Sequence, residues 1–319
     1  MKNKNRLMSL IISAALFILM LPVSARAADS GFTVEGGTVN TDYTYSNGVL
    51  TVNNGANLTI SMADGATTPT SERIVIASSA TASITLNGVN ISAPEGKSAI
   101  ELSSGSSLTL ILSSYTSNSL TGGAAGLFDY GGAPGIHVPQ GAMLTVLCAA
   151  AGDNSSHICD SSASNCAKLT IQGGSNSSGI GGVGIGGGAP VLGSTPGSFT
   201  GQPCGTVMLL GGDVTVTGAA GQGGNSDAKD IGGSNAAGGG SPGAGGTIII
   251  LTSVKSSSGT LNIGAGTGDN PNATVDNGAG IRPSPGENTY EVYGSLKLPT
   301  NLTIPAGVTV NIPSGATLT

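Results

Sequence analysis

Short runs in which apolar and polar residues alternate recur along the whole chain. Each run has the period of two that is typical of a β-strand with one buried face, and Gly, Asn or Ser bounds it. The clearest runs are 83–91, 107–112, 144–147, 168–171, 206–210, 213–216, 247–251 and 260–263. No helical period is sustained after residue 27, so the pattern predicts an all-β protein.

The spacing of these runs indicates a repeat. Triplets of the form apolar-polar-apolar or fully apolar begin at Ile84, Leu108, Leu144, Leu169, Val207 and Ile248. Their separations of 24, 36, 25, 38 and 41 residues are those of coils with loops of variable length. Such self-similarity predicts a β-solenoid, in which parallel strands stack and these side chains form one interior column. A β-sandwich is the alternative, although its core normally has more than the 3% of aromatic residues found in this chain.

The glycine-rich segment 179–188, GIGGVGIGGG, fits the dinucleotide-binding pattern G-x-G-x-x-G in two overlapping registers. A nucleotide loop requires a helix directly after it, and the following sequence APVLGSTPG cannot begin one. The alternative is that glycine lets coils turn with positive φ or approach closely. That interpretation places Ile180 and Ile185 inward. It predicts the same arrangement, glycines beside an inward-facing residue, at 230–233 and 278–281.

Four segments are predicted along the chain. Residues 1–27 combine a basic start, an apolar run and the small-residue pattern Ala-Arg-Ala, as in a secretory signal peptide. We therefore predict a secreted, extracellular protein, free or associated with the cell surface. Residues 28–70 are predicted to be N-terminal cap strands that cover an exposed sheet edge, and residues 71–295 the solenoid. Residues 296–319 are predicted to be C-terminal strands, either a cap or the end of a truncated chain.

Charge and hydropathy exclude two kinds of partner. After residue 27 the chain has seven Lys and Arg against 17 acidic residues, a formal net charge of −10. Nucleic-acid binding depends on clustered Lys and Arg, so we predict no nucleic-acid partner. A membrane helix needs about 20 apolar residues, and no run after residue 27 approaches that length. We predict no membrane span in the mature chain.

Several stretches resemble the secreted carbohydrate-binding β-helix domains of clostridial type that occur in Gly-rich bacterial surface proteins. The resemblance covers roughly residues 45–319, and it is carried by 73–78, 84–91, 99–102, 107–112, 118–123, 184–188, 204–216 and the two Ile-Pro-x-Gly motifs near the C-terminus. It implies an all-β, right-handed parallel β-helix that contacts polysaccharide or cell-wall glycan, or acts as an adhesive scaffold. It implies no cofactor except calcium. The cysteine-bearing middle departs from the family pattern, and no catalytic residue is carried over.

Four cysteines in an exported chain indicate disulfides. Cys166 and Cys204 each lie three residues before a strand triplet, so neighbouring coils would bring the two sulfurs together. We predict a Cys166–Cys204 disulfide, with Cys148–Cys159 as the remaining pair, and free thiols are the alternative. A zinc site built on His157, Cys159 and Cys166 is a further alternative, although the spacing matches no common zinc module.

Tyrosines are the candidate sugar platforms, because a ring face stacks on the apolar face of a pyranose and the chain has no Trp. The predicted carbohydrate-binding residues are Tyr43, Tyr45, Tyr115 and Tyr130, of which the first two share one strand face. In the alternative interpretation these tyrosines cover coil ends. Sugar contact would then use flat ladders of Thr, Ser and Asn along an outer sheet, with many weak contacts acting together.

Acidic residues give the last candidate site. Asp227 and Asp230 form the only close acidic pair, and they are the predicted calcium ligands; turn hydrogen bonds are the alternative role. A polysaccharide lyase or hydrolase on a β-helix is the alternative function, and it would need several positioned acids and a base. The acids are scattered, and only Arg73 and Arg282 could supply a guanidinium base. We therefore predict no catalytic site.

Overall fold

The computed structural model describes residues 31–126, 130–149, 166–177, 179–221, 228–270, 272–285, 288–304 and 308–319. Within these ranges every regular element is a β-strand, which confirms the all-β prediction. The same residues contain no helix of the length and hydropathy needed to cross a membrane. The predicted signal peptide, residues 1–27, lies outside the described ranges.

Strands follow one another along the described chain, joined by connections of variable length. The N-terminal half contains β1 (Phe32–Glu35), β2 (Tyr43–Ser46), β3 (Val49–Val52), β4 (Asn57–Met62), β5 (Arg73–Ile76), β6 (Thr81–Asn87), β7 (Asn90–Ser92), β8 (Ile100–Leu102), β9 (Ser107–Ser113), β10 (Ser117–Thr121), β11 (Ile136–His137), β12 (Met143–Ala149) and β13 (Lys168–Gln172). The C-terminal half contains β14 (Ile185–Gly186), β15 (Val191–Leu192), β16 (Phe199–Thr200), β17 (Thr206–Leu209), β18 (Asp213–Thr217), β19 (Ile231–Gly232), β20 (Thr247–Ile250), β21 (Val254–Lys255), β22 (Ile263–Gly264), β23 (Ala279–Pro283), β24 (Thr289–Tyr293), β25 (Ser295–Leu296), β26 (Thr309–Asn311) and β27 (Thr317–Leu318).

Three sheets contain most of these strands. Their strand orders are β1-β4-β6-β9-β12-β17-β20-β23-β24-β26 in the ten-stranded sheet, β2-β3-β5-β8-β11-β14-β19-β22 in the eight-stranded sheet and β21-β18-β13-β10-β7 in the five-stranded sheet. From β5 to β21 the chain passes through the eight-, ten- and five-stranded sheets in that order five times. The strands of successive passes pair in parallel, as predicted. Antiparallel pairs occur near the ends, in β1 with β4, β2 with β3 and β23 with β24, and in the two-stranded hairpin of β15 with β16.

Apolar side chains from the three sheets form a single buried cluster. In the ten-stranded sheet one in-register row consists of Leu58, Ile84, Leu110, Val146, Leu209 and Ile250. In the eight-stranded sheet the corresponding row consists of Leu50, Ile74, Ile100, Ile136, Ile185 and Ile231. All twelve are fully buried or within 1% of it. Each such side chain contributes about 1.5–3 kcal/mol relative to exposure, so these rows hold the passes together.

The predicted interior column is correct in part. Leu108, Leu144, Val207 and Ile248 do occupy one row of the ten-stranded sheet. Leu169 does not, because β13 belongs to the five-stranded sheet, where it lies opposite Val214. The row position next to Leu108 on the N-terminal side is filled by Ala82, two residues before the predicted Ile84.

The glycine-rich segment forms a turn and a short strand. Ile180 and Ile185 are both buried, as predicted, and Gly188 is followed within the described residues by β15, so the nucleotide-loop alternative is wrong. Ile231 pairs with Ile185, so 230–233 does repeat the arrangement. Segment 278–281 repeats it as well, although it lies in the ten-stranded sheet. Gly278 has positive φ, +79°, added Cβ atoms on Gly278 and Gly280 would overlap the carbonyl oxygens of Gly246 and Ile248, and Ile281 is buried.

Candidate functional site

The outer face of the five-stranded sheet carries two uninterrupted rows of polar side chains. Strand pairing aligns one row as Asn90, Ser119, Thr170, Thr215 and Lys255. It aligns the other as Ser92, Thr121, Gln172 and Thr217. None of these nine residues is buried. We call the two rows together the polar face.

Alternation along each strand produces the polar face. In β13, Lys168, Thr170 and Gln172 point outward, while Leu169 and Ile171 are buried in the common core. Parallel strands lie about 4.8 Å apart and alternate residues on one strand about 6.6 Å apart. Hydroxyl and amide groups are therefore presented as a regular, nearly flat lattice.

The charges at the edge of the polar face are compensated. Lys168 lies opposite Asp213 on β18, and Lys255 Nζ lies 3.1 Å from Asp213 Oδ1. The carboxylate of Asp213 is thus paired with Lys255 on the neighbouring strand. The rows themselves present mainly neutral hydrogen-bonding groups to solvent.

The outer face of the ten-stranded sheet is less continuous. Its central row begins with polar side chains, as Asn57, Ser83, Thr109 and Thr145. It continues as Met208, Ile249 and Ile281, which are buried. Polar side chains are therefore aligned across only four strands in this row.

Both arginines of the described chain are held by carboxylates. Arg73 forms an ion pair with Glu101, and Arg282 Nη2 lies 2.7 Å from Glu291 Oε1. His137 lies opposite Glu101 on the next strand; burial lowers the pKa of His137, and the charge of Glu101 opposes that shift. Neither arginine in the described ranges therefore offers a free guanidinium group for the lyase alternative.

The predicted sugar-binding tyrosines lie on three separate elements. Tyr43 on β2 is completely buried, so the prediction for Tyr43 is wrong: its ring packs in the core and offers no face to a sugar. Tyr45 is half-buried against the same core. Tyr115 is 69% exposed in the turn between β9 and β10. Tyr130 is 52% exposed and stacks on Phe199, with 3.5 Å between ring centroids.

The predicted disulfide pairing is wrong. Cys148 and Cys204 are free, buried thiols, whereas Cys166 is disulfide-bonded; Cys159, like His157, lies outside the described residues. The premise of equivalent registers fails because Cys166 precedes a strand of the five-stranded sheet and Cys204 precedes one of the ten-stranded sheet. Burial raises the pKa of the Cys204 thiol to about 12, although a backbone hydrogen bond with Gly205 opposes the shift.

Asp230, a predicted calcium ligand, holds two backbone N–H groups in the structure. Its Oδ1 accepts a hydrogen bond from Gly218 N at 2.8 Å and its Oδ2 accepts one from Asn262 N at 2.8 Å. The carboxylate is buried, and both oxygens are used by backbone groups. Asp227 lies outside the described residues. Within the described part of the chain, no group of three or more His, Cys, Asp or Glu is arranged to hold a metal ion.

Sequence reasoning anticipated a polar ladder as a type of surface but did not identify these rows. The signal was present in the alternation of KLTIQ at 168–172 and DVTVT at 213–217. What the pattern could not show is that these two strands pair with each other and with β10.

No family model matches the chain, and neither a curated protein nor a solved structure is significantly similar to it.

Proposed function

We propose that the protein is a right-handed parallel β-helix that binds extended, neutral polysaccharide on its polar face without cleaving it. Five passes through three sheets in a constant order, around one apolar cluster, support the β-helix. In such a fold each pass packs only on its neighbours, which suits a protein that presents a long, regular surface.

The observation that carries the proposal is the pair of uninterrupted rows on the polar face. A polysaccharide presents hydroxyl groups at regular intervals, and Thr, Ser, Asn and Gln side chains can both donate to and accept from them. A single hydrogen bond of this kind contributes only about 0.5–1.5 kcal/mol net. Many of them along one chain add up, because the later contacts form intramolecularly.

Charge favours a neutral polymer. Asp213 and Lys255 neutralise each other at the edge of the polar face, and the chain after residue 27 has a formal net charge of −10. A polyanion would be repelled by that net charge, while a neutral glycan would not.

Binding without cleavage is supported by the chemistry of the rows. Hydroxyl and amide groups bind sugars but are poor general acids near neutral pH. Asp213, the carboxylate on the described strands of this face, is engaged by Lys255. The segment 1–27 supports placing the protein outside the cell, where such polymers occur, either free or as an adhesive scaffold on the surface.

Retention on insoluble polysaccharide tests the proposal. Thr170→Val combined with Thr215→Val removes two neighbouring hydroxyls from one row while keeping side-chain volume. Thr59→Val combined with Thr85→Val is the matched control, because these threonines are also paired on neighbouring strands but lie on the ten-stranded sheet. Purified proteins are incubated with cellulose, mannan and xylan, with and without millimolar calcium, and the bound fraction is measured.

We expect the wild type and the control pair to be retained by at least one polymer, and the Thr170/Thr215 variant to bind about tenfold more weakly. Retention of no polymer would contradict the proposal and favour a purely structural scaffold. Equal weakening by both pairs of substitutions would place binding elsewhere. Release of reducing ends or unsaturated sugars from any polymer would favour the enzyme.

A further inference from the structure

A cleft of about 590 Å³ opens at one end of the polar face. Gln172 and Thr217, the last two residues of one polar row, form part of its wall. The segments 218–220 and 258–262 form most of the rest. A polymer lying along the row would therefore run directly into the cleft.

The walls of the cleft are fixed by hydrogen bonds between passes. The two carboxylate oxygens of Asp230 accept hydrogen bonds from the backbone N–H groups of Gly218 and Asn262. Asp230 thereby links a segment that precedes it in the chain to one that follows it. Thr217 Oγ1 lies 2.8 Å from Ser257 Oγ, which restrains the Thr217 side chain. A cleft held in this way is present before any ligand arrives, so binding does not have to offset the cost of ordering it.

The lining combines small apolar groups with neutral polar groups. Ala219, Ala220 and Leu261 provide apolar surface, and Gln172, Thr217 and Ser258 provide amide and hydroxyl groups. A pyranose ring has the same division, with C–H groups on its faces and hydroxyls around its rim. The charged group of the lining is the Asp230 carboxylate, and each of its oxygens already accepts a backbone hydrogen bond. A neutral ligand therefore suits the cleft without a bound cation.

We propose that this cleft binds the terminal sugar residues of a neutral glycan, so that the protein recognises chain ends as well as the length of the chain. The inference rests on the proposed polysaccharide binding by the polar face. It adds that a short oligosaccharide, which can touch few residues of the rows, still binds because its end occupies the cleft.

Filling the cleft tests this inference. Ala220 is exposed and lines the cleft, so Ala220→Leu places extra volume in it without disturbing the core. Ala124→Leu is the matched control, since Ala124 is also an exposed alanine in a connection that follows a strand of the five-stranded sheet. The probes are β-1,4-linked tetrasaccharides of glucose, mannose and xylose, with affinity measured by calorimetry and polymer retention measured in parallel.

We expect Ala220→Leu to raise the Kd for the bound tetrasaccharide by about tenfold, while polymer retention falls by less than about twofold because the rows remain. Ala124→Leu is expected to match the wild type in both assays. A wild type that binds polymer but no tetrasaccharide, or an Ala220→Leu variant with unchanged tetrasaccharide affinity, would overturn the chain-end inference and leave polymer binding intact. A wild type that binds neither would overturn both.

Discussion

Gly186 and Gly232 lie opposite each other on the neighbouring parallel strands β14 and β19, and a Cβ on Gly186 would overlap the carbonyl oxygen of Gly232. Both have positive φ, +141° and +147°. Glycine is therefore required here for two reasons, the backbone conformation and the close approach of adjacent passes.

Replacing Gly186 by alanine is expected to destabilise the fold strongly. Strain from positive φ costs about 1 kcal/mol, and forcing a methyl group into packed backbone adds about 1–3 kcal/mol. Gly141→Ala is the control, because Gly141 also has positive φ, +82°, but has open space around its Cβ position. Urea unfolding of the two variants separates the effects. Equal losses in the free energy of unfolding would contradict the close-approach argument.

The buried isoleucine row makes a second prediction about stability. Ile185 is fully buried between Ile136 and Ile231, so Ile185→Ala is expected to lower the free energy of unfolding by about 2–5 kcal/mol. Ile312 is 55% exposed, and Ile312→Ala is expected to change it by less than about 0.5 kcal/mol. Thermal or denaturant unfolding measures both. Similar effects for the two would show that the row contributes little.

Alkaline pH is expected to destabilise the protein through Cys204. Burial raises the pKa of this thiol in the folded state to about 12, against an ordinary value of 9.0. Its contribution to stability is therefore complete below pH 9 and is lost as pH rises towards 12, at up to about 1.4 kcal/mol per pH unit. Unfolding is measured between pH 9 and 10, where Tyr43, Tyr290 and Tyr293 add a loss of their own because burial also raises their pKa values from the ordinary 10.0.

Two cysteine variants test whether Cys204 causes this loss of stability at alkaline pH. Cys204→Ala is expected to make the decline in stability between pH 9 and 10 shallower, and Cys148→Ala is expected to retain the slope of the wild type. A slope in Cys204→Ala equal to that of the wild type would refute the assignment. In the same samples, thiol titration is expected to find Cys148 and Cys204 reduced, and peptide mapping is expected to find neither in the disulfide of Cys166.

Loss of the Asp230 carboxylate is expected to leave two half-buried backbone N–H groups, those of Gly218 and Asn262, without an acceptor. Each unsatisfied group costs about 1–3 kcal/mol, so Asp230→Ala should be among the more destabilising polar substitutions. Asp269→Ala is the control, because Asp269 Oδ1 accepts a single exposed hydrogen bond from Gly239 N. That variant is expected to cost about 1 kcal/mol or less. Hydrogen exchange at the Gly218 and Asn262 amides gives a local readout: protection unchanged in Asp230→Ala would argue against the bridge.

The local features of the fold were predictable because they depend on neighbouring residues. Alternation of Leu169 and Ile171 with polar neighbours identifies a strand with one buried face, and β13 spans 168–172, one residue beyond the predicted run 168–171. The parallel pairing of successive passes was also predictable from the repeat. Assignment of each strand to a sheet was not, because the strands of different sheets share one pattern. That ambiguity misplaced Leu169 in the interior column and led to the wrong pairing of Cys166 with Cys204.

The candidate site shows the same division between local and long-range information. The i, i+2 spacing of Tyr43 and Tyr45 predicts a shared face, but the spacing cannot say that this face packs against the core. Asp230 looks like a turn or metal residue in sequence, because its partners Gly218 and Asn262 are 12 and 32 residues away. Which hydroxyl residues form continuous rows depends on strand register, which alternation alone leaves undefined.

The β15–β16 hairpin has a practical consequence for engineering. It is inserted between β14 and β17, yet Ile185 still pairs with Ile231 and Val207 with Ile248. The chain at this corner can therefore grow outward without shifting the strands that flank it, since the ladder contacts are made between passes and not along the connection. A peptide inserted at the tip between Leu192 and Phe199 would therefore be displayed without a change in the pairing of the flanking strands.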